Sequence, residues 1–332
     1  MRAKFGLLVV LLLLALAAAG GMTYRAYQAE LFRASAAAPG TLTIPPGATA
    51  GRVAALLVAN GVGSSARLLT LYMDVSGQAG KLQAGTYRIP PKVVPAEMIA
   101  RIARGEAYTA TICLPEGLAR REIGQRLQVE ALCTADEFVR ATAEQERVLR
   151  LAGEAHPHLE GYLFPATYDF APGSKLEEIV AAMVKRFRAE LAEVERGGTT
   201  IPQHSFYERL IVASIVEKEA KRADERARVA AVFYNRLANR RRLESCATVL
   251  YALGMHKNAL SLRDLDVASP YNTYRHDGLP PTPICNPGRA SLEAAWRPAA
   301  EQYLYFVAKG DGSHAFSYTL EEHNRMIRQY QP

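Results

Sequence analysis

The longest apolar run of the chain lies at its N-terminus. Two basic residues precede an uncharged stretch from Phe5 to Tyr24 that is rich in Leu, Val and Ala. About twenty helical residues span roughly 30 Å, the thickness of the hydrocarbon core of a bilayer. The run predicts a retained transmembrane anchor over residues 1–27 with a cytoplasmic tip. A cleaved signal peptide is the alternative, since Ala17–Gly20 resembles a cleavage site. Either interpretation exports the remainder of the chain.

The pattern changes after residue 27. Residues 28–40 are predicted to be a linker, because Ala34–Gly40 is small and flexible in composition. Thr41–Ile44 and Lys81–Ile89 alternate like strands, and two helical patterns lie between them. A third helical pattern follows and ends at Gly105. Residues 41–107 are therefore predicted to form a β-α-α-β module with an extra helix, and their scarcity of chemically reactive groups favours a binding role.

Helical periodicity dominates from residue 108 to residue 332. A short strand is predicted over Tyr108–Leu114, and a final strand pair over Tyr303–Lys309 and His314–Tyr318. Between them, most of the apolar residues recur at helical spacing. The predicted fold class is α+β, with the C-terminal domain mainly helical and its strands short.

One apolar helix runs into a carboxylate. In the segment Leu210–Ala220, Glu219 follows aliphatic residues three, four and seven positions earlier, so it shares their face. Glu217 lies about 200° around the helix and points away. Burial among aliphatic side chains would raise the pKa of Glu219 and favour general-acid chemistry. The plain alternative is an acidic residue at an exposed helix end.

Two loops carry aromatic and polar side chains suited to binding sugars. The loop Ser269–Tyr274 contains Tyr271, Asn272 and Tyr274, which are candidates for stacking on a sugar ring or hydrogen bonding to an acetamido group. The loop that begins at Glu160 and Tyr162 is a second candidate. Ordinary turn chemistry explains the first loop equally well, and a hydrophobic plug explains the second.

Charge and motifs exclude several functions. The net charge is +7, and the basic run Arg240–Arg242 lacks a groove-reading motif, so no nucleic-acid partner is expected. His156 and His158 lack a third ligand at a suitable spacing, so no metal is expected. The chain contains no phosphate-binding loop, dinucleotide fingerprint or nucleophile elbow, and no cofactor is expected.

Four cysteines are present, which is an even number in an exported chain. Sequence proximity favours the disulfides Cys113–Cys133 and Cys246–Cys285. Buried free thiols are the alternative.

Several motifs occur together in a fixed order: LEGYLFPATY, ASIVEKEA, VFYNRL, PYNTY, GLPPTPICNPG and YLYFVAKGDGSHAFS. With the N-terminal apolar run, they make the chain resemble the YceG-like family of endolytic murein transglycosylases. The resemblance implies a transmembrane helix, a LysM-like module over 41–107 and a lytic-transglycosylase-like catalytic domain over 108–332. It also implies a single-pass protein of the inner membrane, with its catalytic domain in the periplasm.

The family's catalytic acid is the second Glu of its EKE motif, which corresponds to Glu219. The resemblance implies non-hydrolytic cleavage of the β-1,4 bond between N-acetylmuramic acid and N-acetylglucosamine in peptidoglycan strands. Implied partners are these strands, membrane lipid and proteins of cell-wall synthesis or division. One rival is a hydrolase that uses Glu219 with a second carboxylate such as Glu160 or Glu244, and the other is a non-catalytic scaffold that binds glycan.

This chain departs from the family pattern in one segment. Where the family reads LQSDPTV, the chain has Glu244, Cys246 and Ala247 in place of Gln, Asp and Pro. Glu244 therefore enters as a candidate substrate contact. A disulfide between Cys246 and Cys285 would replace the lost Asp-Pro turn.

Overall fold

The computed structural model describes residues 2–35, 37–255, 257 and 260–330. The chain divides into two compact units, Met1–Ala110 and Thr111–Pro332. Each unit has a separate hydrophobic core.

The first unit is a two-stranded sheet with helices. Its helices are α1 (Arg2–Phe32), α2 (Ala50–Ala59), α3 (Ala66–Val75) and α4 (Pro95–Arg104). Strands β1 (Gly40–Ile44) and β2 (Gly85–Ile89) pair antiparallel, with Gly40 opposite Ile89 and Ile44 opposite Gly85. The helices α2 and α3 connect the two strands. The side chains of Thr49 and Ser65 start these helices by accepting backbone N–H groups of the first turn.

The end of α1 is built into this first unit. Leu31 is fully buried in the core of the unit. The Glu30 carboxylate accepts hydrogen bonds from the Ser64 hydroxyl at 2.6 Å and from the Ser65 N–H at 2.7 Å. Residues 28–32 of the predicted linker are therefore helical, and they hold the start of α3.

The prediction of a transmembrane anchor is wrong. Within the described residues, no helix combines the length and the apolar character needed to cross a bilayer. Near the end of α1, the Glu30 side chain makes hydrogen bonds within the folded unit. The fold class is corrected accordingly: the described elements are mostly helices, with short strands in pairs and without a membrane span. The single-pass inner-membrane location was wrong for the same reason.

The second unit is mainly helical. Its strands are β3 (Ala110–Cys113), β4 (Thr167–Phe170), β5 (Tyr305–Ala308) and β6 (His314–Ser317), which form the pairs β3–β4 and β5–β6. Its helices are α5 (Arg120–Val129), α6 (Ala135–Ala141), α7 (Gln145–Ala152), α8 (Leu176–Arg196), α9 (Phe206–Glu219), α10 (Arg226–Ala238), α11 (Cys246–Leu253), α12 (Leu262–Leu265), α13 (Arg289–Trp296) and α14 (Leu320–Tyr330). The helix α9 packs against α10, α11 and α13 and so runs through the interior of the unit.

Candidate active site

Glu219 is the last residue of α9. The Ser205 hydroxyl and the Glu208 carboxylate start this helix with reciprocal hydrogen bonds, and Ala220 ends it in an extended conformation. Every residue of the segment Leu210–Val216 is buried. The sequence predicted one aliphatic face, whereas this part of α9 is buried on all sides. Glu219 is partly buried at the point where the helix leaves the core.

The Glu219 carboxylate lies between two helix ends. The Ser245 hydroxyl donates a hydrogen bond to Glu219 Oε1 at 2.5 Å, and the backbone N–H of Ala247 donates another. Ser245 is the N-cap residue of α11, so the positive end of that helix faces the carboxylate. The C-terminal end of α9 acts in the opposite sense, because it disfavours a negative charge.

Burial raises the pKa of Glu219 above its ordinary value. The hydrogen bonds from Ser245 and Ala247 act against this effect, and so does the charge of His314 when its ring is protonated. Desolvation is the largest contribution. The site therefore favours a protonated Glu219 while offering donors to its anion.

Glu217 has different partners. Its carboxylate accepts a hydrogen bond from the Gly288 N–H at 2.9 Å and lies 3.6 Å from the Arg226 guanidinium. Gly288 is the N-cap residue of α13, and the Glu217 side chain is only 6% exposed. Glu217 thus joins α9 to α13, and the two acidic residues of the motif do not share a site.

A cluster of hydroxyl groups holds Ser245 in place. The Ser245 N–H donates to Thr273 Oγ1 at 3.1 Å, and the Thr248 hydroxyl donates to the Ser245 carbonyl at 2.7 Å. The hydroxyl groups of Thr248 and Thr273 lie 2.9 Å apart. Sequence reasoning missed Ser245, Thr248 and Thr273, although all three are adjacent in sequence to residues that it singled out. A serine directly before a helix was the available signal.

Tyr274 and Cys246 lie close to Glu219. The Tyr274 hydroxyl and Cys246 Sγ are 3.1 Å apart, and burial raises the pKa of both groups, with a further increase from the Glu219 charge. His314 lies near the C-terminal end of the unit and is held by Glu225, whose Oε2 is 2.8 Å from His314 Nδ1. Sequence reasoning did not assign His314 to the site either.

The other two predicted loop residues serve the loop itself. Asn272 is fully buried, and its Nδ2 donates to the carbonyls of Leu265 and Val267 at 2.8 and 2.9 Å. Tyr271 is half-buried, with its hydroxyl 2.8 Å from that of Thr282. The structure therefore brings Tyr274 to Glu219 and gives Asn272 a role in shaping the loop, because both amide hydrogens of Asn272 are committed to backbone carbonyls.

Glu160 is a second buried carboxylate. It is 1% exposed and accepts hydrogen bonds from the Arg120 N–H, from Asn286 Nδ2 at 2.8 Å and from the Tyr251 hydroxyl at 3.2 Å. Burial raises its pKa to about 7 against the effect of these donors. Glu160 lines a pocket of about 390 Å³ between the start of α5 and α11. Glu219 does not line this pocket, but its neighbours Lys218 and Ala247 do.

Tyr162 does not lie on an open groove. It is 2% exposed and packs in the core, with its ring 5.2 Å from Phe187 and 5.7 Å from His156. Its place in the core argues against the predicted contact with substrate. Glu244 is exposed and lies 2.8 Å from the Arg236 guanidinium, with a left-handed backbone at φ 52°. Glu244 therefore sits beside Ser245 as an ion-paired surface residue.

Neither candidate disulfide is present, because all four cysteines are free thiols. Cys285 is buried against α9 and donates to the Ser214 carbonyl at 3.2 Å, whereas Cys246 is exposed beside Tyr274. These different partners separate the pair Cys246–Cys285. Cys113 is exposed on β3, and Cys133 is partly buried. The loop that carries Cys285 is held instead by Ser214, whose hydroxyl accepts the Ile284 N–H at 3.0 Å.

Known proteins resemble this chain over most of its length. A model of the YceG-like family matches residues 42–329. The endolytic murein transglycosylase of Bacillus subtilis strain 168 is 34% identical over 305 residues, which cover 87% of this chain and 84% of that protein. The endolytic murein transglycosylase of Streptococcus pneumoniae strain D39 is 28% identical over 361 aligned residues, which cover 96% of this chain and 64% of that protein. A crystal structure of a yceG-like protein from Listeria monocytogenes has a TM-score of 0.61 at 34% identity, covering 87% of this chain and 98% of that one.

Proposed function

Because the chain belongs to the YceG-like family, we propose that it is an endolytic lytic transglycosylase of peptidoglycan with Glu219 as its catalytic acid. The substrate is the glycan strand, and the bond cleaved is the β-1,4 linkage from N-acetylmuramic acid to N-acetylglucosamine. The product carries a 1,6-anhydro end, which makes the enzyme a carbon–oxygen lyase.

The proposed reaction uses one carboxyl group twice. Protonated Glu219 donates its proton to the leaving glycosidic oxygen as the bond to the muramyl C1 breaks. The resulting carboxylate then accepts the proton of the muramyl C6 hydroxyl, whose oxygen forms the new bond to C1. Because that hydroxyl belongs to the same sugar, its high effective concentration replaces a second carboxylate.

The observation that supports this proposal is the set of opposing effects on the pKa of Glu219. Burial favours the acid that the first step needs. The Ser245 hydroxyl at 2.5 Å and the Ala247 N–H stabilise the carboxylate that the second step needs. Tyr274 is the best supported substrate contact among the predicted loop residues, because its hydroxyl lies beside Cys246 at the same helix end.

The test compares Glu219→Gln with Glu217→Gln on purified cell-wall sacculi. Glu219→Gln is expected to lower the rate of anhydro-product formation at least about a thousandfold, because the amide has no proton to donate. Glu217→Gln is the matched control, two residues away in the same helix, and is expected to retain most of the activity with some loss of stability. Equal loss of activity in two folded variants would refute the role of Glu219.

Product mass separates the lyase from the hydrolase. Anhydro products are one water lighter than hydrolysis products of the same fragment. Fragments that carry the added water would favour the two-carboxylate hydrolase. Binding to sacculi with no soluble product from the unchanged protein would favour the scaffold.

We also propose that residues 41–107 form a LysM-like glycan-binding module. The antiparallel pair β1–β2 flanks two helices in the order β-α-α-β, which supports this proposal. Replacing Arg88 and Arg101 with Ala, both of which line a pocket of about 270 Å³ in this unit, is expected to weaken binding to sacculi. Unchanged binding would count against the module as the glycan-binding site.

A further inference from the structure

The pocket that Glu160 lines has no part in the proposed proton transfers. It lies between the first turn of α5 and the helix α11 and is named here the α5–α11 pocket. Its volume of about 390 Å³ is within the range of small-molecule sites. Ala247 lines it and also donates its N–H to Glu219. A group bound in the pocket would therefore lie next to the sugar whose bond faces Glu219.

The walls of the α5–α11 pocket are amphipathic. Its apolar side chains are Val139, Leu250, Leu253, Met255 and Ile284. Its cations are Arg120, Arg121 and Lys218. Arg121 and Lys218 are exposed, and Arg120 Nε is a buried donor without a partner among the described residues. An unsatisfied buried donor is costly unless water or a ligand reaches it.

The two acidic residues of the pocket are already engaged. Glu122 accepts the Ala119 N–H at 2.7 Å in the first turn of α5. Glu160 accepts hydrogen bonds from Arg120, Asn286 and Tyr251. The charged groups of the pocket that remain available to a ligand are therefore its cations. A carboxylate of the ligand would pair with them.

A sugar ring is a poorer occupant than an anionic peptide. Tyr251 is the one aromatic residue among the described lining residues, and its ring already packs 4.9 Å from that of Tyr271. A peptide that carries short aliphatic side chains next to carboxylates would place its aliphatic groups against the apolar wall and its carboxylates against the cations. We propose that the α5–α11 pocket is a subsite for the anionic peptide stem carried by the muramyl residue of the strand. The choice of ligand rests on the proposed function.

The test uses two small probes with no glycosidic bond to cleave. One is N-acetylmuramyl-L-alanyl-D-glutamate, and the other is the same compound with its carboxylates converted to amides. We expect the full chain to bind the acid at least about tenfold more tightly than the amide in calorimetry, because charge-assisted hydrogen bonds are lost in the amide.

Arg121→Ala is expected to remove this preference, because Arg121 is exposed and its truncation leaves the core intact. Arg126→Ala is the matched control on the same helix; Arg126 is exposed and lies outside the pocket. It is expected to keep the preference. Equal affinity for the two probes, failure to bind either probe, or an undiminished preference in Arg121→Ala would overturn the subsite. Because no bond is cleaved, these results are independent of whether sacculi yield anhydro products.

Discussion

At the scale of the residue, the proposed function depends on how one carboxyl group is surrounded. Glu219 has lost much of its hydration, yet two donors reach its oxygens from α11. Desolvation alone would leave a good acid and a poor carboxylate, whereas donors alone would hold the pKa low. Both effects are needed for a group that gives a proton and later takes one. Of the two donors, the Ser245 hydroxyl is the one that a substitution can remove, because the other is a backbone N–H.

Ser245→Ala is therefore expected to move the basic limb of the kcat/KM profile to higher pH. Activity falls as Glu219 loses its proton, and removal of a donor to the carboxylate raises the pKa at which this occurs. The rate at the optimum should fall about tenfold, because the side chain is less well oriented. The Ser245 hydroxyl makes no capping bond to α11, so the helix should persist.

Ser245→Thr keeps the hydroxyl and should leave the limb near its original pH. A limb that moves to lower pH in Ser245→Ala would contradict the role given to this hydrogen bond.

Glu160 predicts a pH dependence of stability. Burial raises its pKa from 4.5 to about 7 in the folded chain, so the folded state binds the proton more tightly than the unfolded state. The resulting stabilisation is complete below pH 4.5 and is lost as pH rises through about 7, and it amounts to on the order of 3 kcal/mol. Urea unfolding from pH 4.5 to 8 should show this decline.

Glu160→Gln should show a flatter profile over the same range, because the amide does not titrate there. Parallel profiles for the two proteins would mean that the pKa of Glu160 is not raised in the folded state.

At the scale of the element, three loops are joined by one amide. Asn286 Oδ1 accepts the N–H groups of Gly161 and Leu163, both at 2.9 Å. Asn286 Nδ2 donates to the Leu118 carbonyl and to Glu160. The loop 280–288, the loop 159–165 and the segment before α5 therefore share one buried side chain. Asn286 thereby holds Glu160, which lines the α5–α11 pocket.

Asn286→Ala is expected to lower the free energy of unfolding by about 3–5 kcal/mol, since four buried hydrogen bonds lose a partner. Chemical denaturation measures the loss. The control is Asn239→Ala at the exposed end of α10, where the side chain bonds only to Asn235 in the same helix. That change should cost less than about 1 kcal/mol. Similar losses in both variants would argue against the joining role of Asn286.

At the scale of the whole molecule, the chain contains two hydrophobic cores. One lies within Met1–Ala110 and includes Leu57, and the other lies within Thr111–Pro332 and includes Leu292. Both leucines are fully buried. A unit with a core of its own can unfold cooperatively by itself.

Calorimetry should therefore resolve two thermal transitions. Leu57→Ala should lower only one of them and Leu292→Ala only the other, because each substitution removes about 2–5 kcal/mol from a single core. A substitution that lowers both transitions equally would show that the two cores unfold as one.

Local patterns of the sequence predicted part of this structure. The helical period placed α9 and marked Glu219, because neighbours three and four residues apart share a helix face in any fold. Glycine at the end of a helix, as at Gly105 with φ 70°, is also a local signal. The apolar N-terminal run misled, because it predicted a membrane span and no described helix has the length and apolar character that a span needs.

The sequence by itself determined the family and the order of most helices and singled out Glu219 as the candidate acid, since these depend on short motifs and on neighbours within a few positions. Only the tertiary structure decided what surrounds the acid. Ser245 lies 26 residues from Glu219, and Asn286 lies 125 residues from Gly161. It also decided that Tyr162 belongs to the core and that the cysteines stay apart. Such contacts arise from the packing of distant elements, for which a single sequence holds no periodic signal.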